Sequence, residues 1–231
     1  PSILTSNRSK RLKPFIGLRE VVAALSPSSG KIIQYEKAFA AKFGCEYGVM
    51  FSHGRSALYA LLKSWNLSND EIICPAYTCV VVQHAVVLSG NVPVFVDCEK
   101  DQPNMDLKLL ESTITEKTRA VIATHLFGYP MNVVELQQIV ERAEKQYGHK
   151  IYVIQDVAHS YGAEWNGKLV TTFGDAAFFG SNISKIMTSI FGGMLITNSK
   201  QTFDAIHSYR ADNFKKSGFV KALNRFVYLI A

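Results

Sequence analysis

The stretch Ile151-Tyr152-Val153-Ile154-Gln155-Asp156 decides the fold, because it is an apolar run that ends in a carboxylate. A near-continuous apolar strand is buried on both faces, which is typical of parallel sheets covered by helices on both sides. In open sheets of this kind, ligands bind beyond the carboxyl ends of the strands. The stretch therefore predicts a covered, mostly parallel sheet and places Asp156 at its ligand-binding edge.

Short apolar runs alternate with amphipathic segments through the middle of the chain, which is the pattern of strands joined by crossover helices. Besides 151–156, strands are predicted at 47–52, 71–74, 92–97, 120–125, 176–179 and 194–197. Apolar residues at three- and four-residue spacing predict helices at 33–43, 56–64, 78–88, 106–112 and 133–144. The expected fold is α/β, a three-layer α/β/α sandwich with a mostly parallel sheet.

The composition is that of a globular protein rather than a disordered, collagenous or membrane protein, since 48% of the 231 residues are hydrophobic and 19% are charged. The formal net charge is +6, and basic residues crowd both ends of the sequence. Such a charge suits an anionic substrate such as a nucleotide. No aromatic-interleaved basic motif or recognition helix indicates nucleic acid, so we expect neither a nucleic-acid nor a membrane partner.

The cysteines Cys45, Cys74, Cys79 and Cys98 form no CxxC pair and have no histidine at metal-ligand spacing. Three of them lie in or beside predicted apolar strands, where buried reduced thiols are typical. No long apolar core follows the polar start of the sequence, so a signal peptide is not predicted. These features predict a cytoplasmic protein without a metal site.

Lys185 follows Ser181-Asn182-Ile183-Ser184 and precedes Gly192-Gly193, twenty-nine positions after Asp156. A carboxylate at the end of a buried strand and a lysine in a loop rich in glycine and serine are two groups that pyridoxal phosphate requires. The carboxylate keeps the pyridine nitrogen protonated, and the amine forms a Schiff base. The pair predicts an enzyme, although a capping aspartate and a solvated lysine would produce the same pattern.

Two further segments carry candidate groups. Gly54-Arg55-Ser56 follows a strand and begins a helix, so its backbone N–H groups and the helix dipole can bind a phosphate. The alternative at this turn is capping of the helix by Ser56. His159 follows Asp156 by about one helical turn and is either a hydrogen-bonding neighbour of a cofactor oxygen or a paired core histidine.

In their order and spacing, these motifs resemble the DegT/DnrJ/EryC1/StrS aminotransferases, sugar-nucleotide enzymes with the aspartate-aminotransferase fold (fold type I). The resemblance covers about residues 30–198 without large insertions. The matching stretches are 30–39, 54–58, 75–78, 93–97, 125–128, 156–163, and 174–177 through Lys185 to Gly193.

The resemblance implies a role for individual residues around pyridoxal phosphate. Lys185 and Asp156 are the implied catalytic residues: Lys185 forms the Schiff base and moves protons, and Asp156 pairs with the pyridine nitrogen. The implied cofactor-binding positions also include Gly54, Arg55 and Ser56 at the phosphate, His159 beside the ring, and Tyr77, Cys79 and Ser181.

Three segments depart from the family pattern. Cys79 stands where the family commonly has Phe or Trp stacked on the ring, which leaves Tyr77 as the other aromatic candidate. Gly180 aligns with the family's phosphate-binding serine, so Ser181 or Ser184 is the expected replacement. Ile190-Phe191 replaces the Gly-Glu that usually precedes the paired glycines.

Family members continue into a small C-terminal domain that helps to close the substrate pocket, whereas this sequence stops soon after the last predicted strand. We therefore expect an N-terminal arm at 1–29, a large domain that binds pyridoxal phosphate at 30–212, and a helical segment at 213–231 leading toward a missing small domain. The resemblance also implies a homodimer with active sites shared across the interface. The apolar side of segment 219–231 is a candidate for packing against the large domain or a second subunit.

The predicted function is transfer of an amino group from an amino acid, with glutamate as the expected donor, to a nucleotide-linked keto-sugar. A sugar dehydratase is a weaker prediction, because dehydratases that resemble this family replace the lysine with histidine. A cysteine desulfurase requires a nucleophilic cysteine in a mobile loop, and none of the four cysteines lies in an obvious one. A truncated, non-catalytic binding module is the alternative outside enzyme chemistry.

Overall fold

The computed structural model describes Gly17, Arg19 and residues 30–182, 184–189 and 191–215. Most of the predicted N-terminal arm and the whole of segment 219–231 lie outside these residues. The domain boundaries at 29 and 212 stay predictions.

The described residues form nine strands and six α-helices. The strands are β1 (Tyr47–Phe51), β2 (Glu71–Pro75), β3 (Val92–Val96), β4 (Thr118–Thr124), β5 (Tyr152–Asp156), β6 (Glu164–Trp165), β7 (Lys168–Leu169), β8 (Ala176–Gly180) and β9 (Gly193–Thr197). The helices are α1 (Lys31–Lys42), α2 (Gly54–Ser64), α3 (Val80–Leu88), α4 (Leu107–Thr113), α5 (Val133–Tyr147) and α6 (Lys200–Asn213). Every strand predicted from the sequence and every helix predicted between residues 33 and 144 has a counterpart, whereas α6 and the β6–β7 hairpin were not predicted.

Seven strands form one sheet in the order β1-β9-β8-β5-β4-β2-β3, and β6 pairs only with β7. Strand β9 is antiparallel to both of its neighbours, β1 and β8. The other pairings, from β8 through β5, β4 and β2 to β3, are parallel. Six of the seven strands therefore point the same way, as a mostly parallel sheet requires.

The helices cover both faces of this sheet. Helices α2, α3 and α6 pack on one face, where Leu58, Val86 and Ile206 join one hydrophobic cluster. Helices α4 and α5 cover part of the opposite face, and α1 covers the rest of it. Alternate residues of a strand point to opposite faces of the sheet. In β5, Ile154 packs in the cluster under α2, α3 and α6, and Val153 packs in the cluster under α4 and α5. The α/β/α sandwich expected from the sequence is confirmed.

Strand β1 lies at one edge of the sheet, and side chains bind its outward backbone groups. The Met50 N–H donates to Glu36 at 2.7 Å, and the Arg210 guanidinium donates to the Met50 carbonyl at 3.0 Å. Glu36 is buried and forms an ion pair with Arg210. An edge strand with unpaired backbone groups is a template for unwanted strand pairing. The hydrogen bonds with Glu36 and Arg210 occupy the Met50 backbone groups, and they also attach α1 and α6 to the edge strand.

Candidate active site

The carboxyl edge of the parallel strands brings together segments that are distant in sequence. Asp156 ends β5, Gly54 comes three residues after the end of β1, and Thr78 three residues after the end of β2. Ser181 directly follows β8 and opens the loop that carries Lys185. The structure thus assembles at this edge the groups that the sequence predicts to act together.

Asp156 is buried, with 4% of its surface exposed. Its Oδ1 accepts from the Ala158 N–H at 3.1 Å, and its Oδ2 accepts from the Thr124 hydroxyl at 3.4 Å. Burial raises the pKa of Asp156 from 3.8 to about 6, since the Ala158 hydrogen bond, the Lys185 charge and the Thr124 hydrogen bond offset only part of the desolvation. The carboxylate therefore lacks a strong cationic partner within the described residues.

Lys185 lies half-buried in the loop after β8, and its backbone N–H donates to the Asn182 carbonyl at 3.0 Å. Burial lowers the pKa of the Lys185 amine, and the opposing fields of Asp156 and Cys79 do not restore it. A larger fraction of the amine is therefore neutral than in a solvated lysine. A neutral amine is the nucleophilic form.

Three glycines allow the backbones at this edge to cross closely. A Cβ on Gly193 would lie 2.3 Å from the Gly54 nitrogen, and a Cβ on Gly54 would lie 3.0 Å from the Phe179 carbonyl oxygen. A Cβ on Gly192 would lie 2.1 Å from the Ser189 hydroxyl oxygen. Side chains at Gly54 and Gly193 would push the start of α2 away from the ends of β8 and β9, and a side chain at Gly192 would displace Ser189 in the lysine loop.

The first turn of α2 offers free backbone donors. His53 is the N-cap residue and its side chain makes no capping hydrogen bond. The Ser56 and Ala57 amides donate to the His53 carbonyl, whereas among the described hydrogen bonds none is donated by the Gly54 or Arg55 amide. The alternative in which Ser56 caps the helix is therefore wrong. The Gly54 and Arg55 amides remain available for an anion.

An aromatic group borders the site on the other side. The ring of Phe127 lies 6.2 Å from the ring of Tyr77 and 5.8 Å from that of His159. His159 is half-buried. Burial is the main cause that lowers the pKa of its ring, and the nearby charge of Lys185 lowers it further. Buried thiols are confirmed for Cys45 and Cys74, whereas Cys98 is only partly buried and Cys79, at the start of α3, is exposed.

Ser181 is buried, and its hydroxyl lies 3.5 Å from that of Tyr161. Its backbone N–H donates to the Gly192 carbonyl at 2.8 Å, and its carbonyl accepts from the Ser189 N–H at 3.0 Å. Ser184 is exposed and donates to the Asn182 side chain. Ser181 thus ties the two ends of the lysine loop together, and its role at a phosphate stays a prediction.

Two contributors to the site, Thr124 and Phe127, were not predicted from the sequence. Thr124 donates to Asp156, and its position at the end of the predicted strand next to β5 was the available signal. Phe127 adopts a left-handed backbone with φ 54° and ψ 23°, for which the sequence gives no signal in a residue of this size.

These residues fit the three polar parts of pyridoxal phosphate. Asp156 suits a protonated ring nitrogen, Lys185 suits the aldehyde, and the Gly54 and Arg55 amides suit the phosphate. The Thr78 hydroxyl supports the fit, since it is a buried oxygen with no hydrogen-bond partner among the described residues.

Within the described part of the chain there is no helix long and apolar enough to cross a membrane, and no cluster of side chains that could hold a metal ion.

Comparison with known proteins identifies close relatives. Residues 18–227 match the DegT/DnrJ/EryC1/StrS aminotransferase family. The chain is 35% identical over 193 residues to the GDP-perosamine synthase of Escherichia coli O157:H7, which covers 83% of this chain and 50% of that protein. It spans about half the length of the curated relatives it matches.

Two solved structures show the same fold. Helicobacter pylori PseC, an aminotransferase of pseudoaminic acid biosynthesis, has a TM-score of 0.78 at 24% identity, over 90% of this chain and 57% of that one. The E. coli GDP-4-keto-6-deoxy-D-mannose-3-dehydratase with bound hydrated PLP has a TM-score of 0.76 at 27% identity, over 89% and 56%. The predicted fold and family are confirmed, and so is the cofactor of the family, which depends on pyridoxal phosphate.

Proposed function

We propose that this chain, which belongs to the DegT/DnrJ/EryC1/StrS aminotransferase family, transfers an amino group from an amino acid to a nucleotide-linked keto-sugar. The observation that carries the proposal is the arrangement of Asp156 and Lys185 at one edge of the sheet. One is a buried carboxylate with a raised pKa, and the other is an amine with a lowered pKa. Perturbed groups of this kind concentrate at functional sites.

Pyridoxal phosphate, when bound, supplies an electron sink for the carbon attached to the substrate nitrogen. The Asp156 carboxylate holds a proton on the pyridine nitrogen through a charge-assisted hydrogen bond. Thr124 and the Ala158 amide orient the two carboxylate oxygens for that task. The Gly54 and Arg55 amides hold the phosphate at the start of α2.

The Lys185 amine has two roles in this proposal. As a nucleophile it would hold the aldehyde of the cofactor, and as a free amine it would carry the proton that moves from one carbon to the other during amino transfer. Its lowered pKa suits both roles, because a larger fraction of the amine is neutral and able to attack the aldehyde or accept a proton. Glutamate is the proposed donor.

A sugar dehydratase is the second candidate, since a curated relative and two matched structures have that name. Lys185 favours amino transfer over dehydration, because its amine occupies the place where dehydratases that resemble the family have histidine. The substrate class is supported by the relatives' names, which include a GDP-linked sugar.

The proposed assembly is a homodimer in the cytoplasm. Support comes from the family resemblance and from exposed apolar side chains on α1, where Ile32 and Ile33 are 52% and 59% exposed. All four cysteines are free, as in a reducing compartment. Sedimentation at micromolar concentration tests the dimer, and a monomer would contradict it.

Reduction with borohydride tests the proposed function directly. Wild-type protein mixed with pyridoxal phosphate should become yellow, and reduction should fix the cofactor to the peptide that contains Lys185. Lys185→Ala should lose the adduct entirely, whereas the matched control Lys150→Ala should keep it, because Lys150 lies before β5 at the opposite end of the sheet. An adduct that persists in Lys185→Ala would assign the chemistry to another lysine, and a colourless wild type would favour a non-catalytic binding module.

A further inference from the structure

Phe127 combines an exposed ring with a disfavoured backbone. Its φ of 54° and ψ of 23° lie in the left-handed region, which bulky residues other than glycine rarely adopt. Its side chain is 59% exposed, so burial of the ring does not compensate for this backbone. Strained conformations persist where the surroundings impose them, and they cluster at ligand sites.

Hydrogen bonds anchor the two residues that precede Phe127. The His125 N–H donates to the Asp156 carbonyl at 3.1 Å, and the Leu126 N–H donates to the Asn104 side chain at 3.1 Å. His125 is fully buried and Leu126 is 5% exposed, so both anchor points lie inside the protein. The chain is therefore held on the site side of β4, and Phe127 presents its ring outward from a fixed base.

The ring belongs to a group of aromatic side chains at the carboxyl edge of the sheet. Phe127 is the middle member of the aromatic shelf that we define as Tyr77, Phe127 and His159. The hydrogen bond from the His125 N–H to the Asp156 carbonyl holds the loop of Phe127 at the carboxyl end of β5, and the charge of Lys185 lowers the pKa of His159. The shelf thus lies at the same edge of the sheet as Asp156 and Lys185.

We propose that Phe127 is a specificity-determining residue whose ring packs against the hexose of the nucleotide sugar. The inference rests on the proposed function. The carbon that receives the amino group belongs to the hexose and must come close to Lys185. The hexose, rather than the nucleobase, is therefore the part of the acceptor that lies beside the shelf. Pyranose rings present apolar C–H faces, and exposed aromatic rings in a pocket supply matching apolar surface.

Binding measurements on the protein loaded with pyridoxal phosphate test this role. The probes are GDP-mannose, UDP-glucose and dTDP-glucose, each compared with its free nucleoside diphosphate in a calorimetric titration. Wild type and Phe127→Tyr should bind the preferred nucleotide sugar more tightly than its nucleotide. Phe127→Asn should weaken the sugar-linked probe about tenfold and leave the free nucleotide unchanged.

Thermal unfolding separates this role from a structural one. Asn tolerates the left-handed region, so Phe127→Asn should keep the melting temperature within about 2 °C of wild type or raise it. The control Phe95→Asn, at a 49% exposed phenylalanine on edge strand β3, should leave the affinity for every probe unchanged.

Three results would overturn the inference. One is equal weakening of the nucleotide and the sugar-linked probe in Phe127→Asn, and another is a clear drop in its melting temperature. The third is a wild type that carries trapped cofactor at Lys185 but binds none of the probes. Absence of the Lys185 adduct itself would instead refute the proposed function, so the two failures are distinguishable.

Discussion

The two ends of the paired strands β5 and β8 each hold an aspartate and a lysine, with opposite consequences. At the amino end, Asp175 accepts from the Val153 N–H at 2.8 Å and forms an ion pair with Lys150 at 3.2 Å. At the carboxyl end, Asp156 is buried, and neither it nor Lys185 belongs to an ion pair of the described residues. Among the described residues, the aspartate and lysine thus form an ion pair at one end of the sheet and none at the other.

The pKa shifts follow this difference. Burial lowers the pKa of Lys150, but Asp175 and Glu144 outweigh it, so the net shift is upward. Burial also lowers the pKa of Lys185, and there the field of Asp156 is too weak to reverse the shift. The paired charges at the amino end thus stabilise the fold, whereas the carboxylate and the amine at the carboxyl end are available to bind a ligand.

The largest expected effect separates the two aspartates by activity. Asp156→Asn keeps the size of the side chain but removes the charge that holds the ring nitrogen protonated, so the rate of amino transfer should fall about 100-fold or more. The matched change Asp175→Asn should alter the rate only a few-fold. Single-turnover conversion of the cofactor absorbance with glutamate measures both. Equal rates for Asp156→Asn and wild type would reduce Asp156 to a capping residue.

A pH dependence of stability is the next expected effect. Because burial raises the pKa of Asp156 to about 6 from an ordinary 3.8, the folded protein keeps a proton between these values that the unfolded chain has lost. The free energy of unfolding therefore falls as the pH rises through this window, by about 3 kcal/mol in total. Asp156→Asn has no such proton, so its stability relative to wild type should increase from pH 4 to pH 7.

Urea denaturation of cofactor-free protein at several pH values measures this difference. His125 titrates in the opposite sense, since burial lowers its pKa to about 4 and its contribution to stability is lost as the pH falls below 6.5. Both proteins contain His125, so its contribution cancels in the comparison. A constant difference between wild type and Asp156→Asn across the range would show that Asp156 is not desolvated in solution.

The smallest expected effect lies at the amino end. Asp175→Asn weakens the hydrogen bond to the Val153 N–H and removes the ion pair with Lys150, so it should lower the free energy of unfolding by about 2 kcal/mol. Lys150→Gln should cost less than about 1 kcal/mol, because Lys150 is half exposed. Chemical denaturation at pH 7 ranks the two. If Lys150→Gln lowers the free energy of unfolding more than Asp175→Asn does, the ion pair and not the hydrogen bond is the main contribution of Asp175 to stability.

The fold was predictable because its signals are local. The apolar runs of β4 and β5 and the three- to four-residue spacing of α5 follow directly from how strands and helices bury their side chains. Helix α6 was missed because only Thr202 and Ile206 are buried along it, so its apolar pattern is short. The β6–β7 hairpin was missed for a similar reason, since each of its strands has two residues.

The sequence by itself determined the sheet, the order of its motifs and the pair of Asp156 and Lys185. The reason is that the spacing of apolar residues and the chemistry of each side chain are properties of short segments of the sequence. Only the tertiary structure decided that Cys79 is exposed, that Gly193 allows close approach to Gly54, and that Phe127 turns outward. The physical reason is that exposure, backbone crossing and strain arise between segments far apart in the chain. The electrostatic difference between Asp156 and Asp175 belongs to the same class, since desolvation depends on what surrounds a carboxylate and not on its neighbours in sequence.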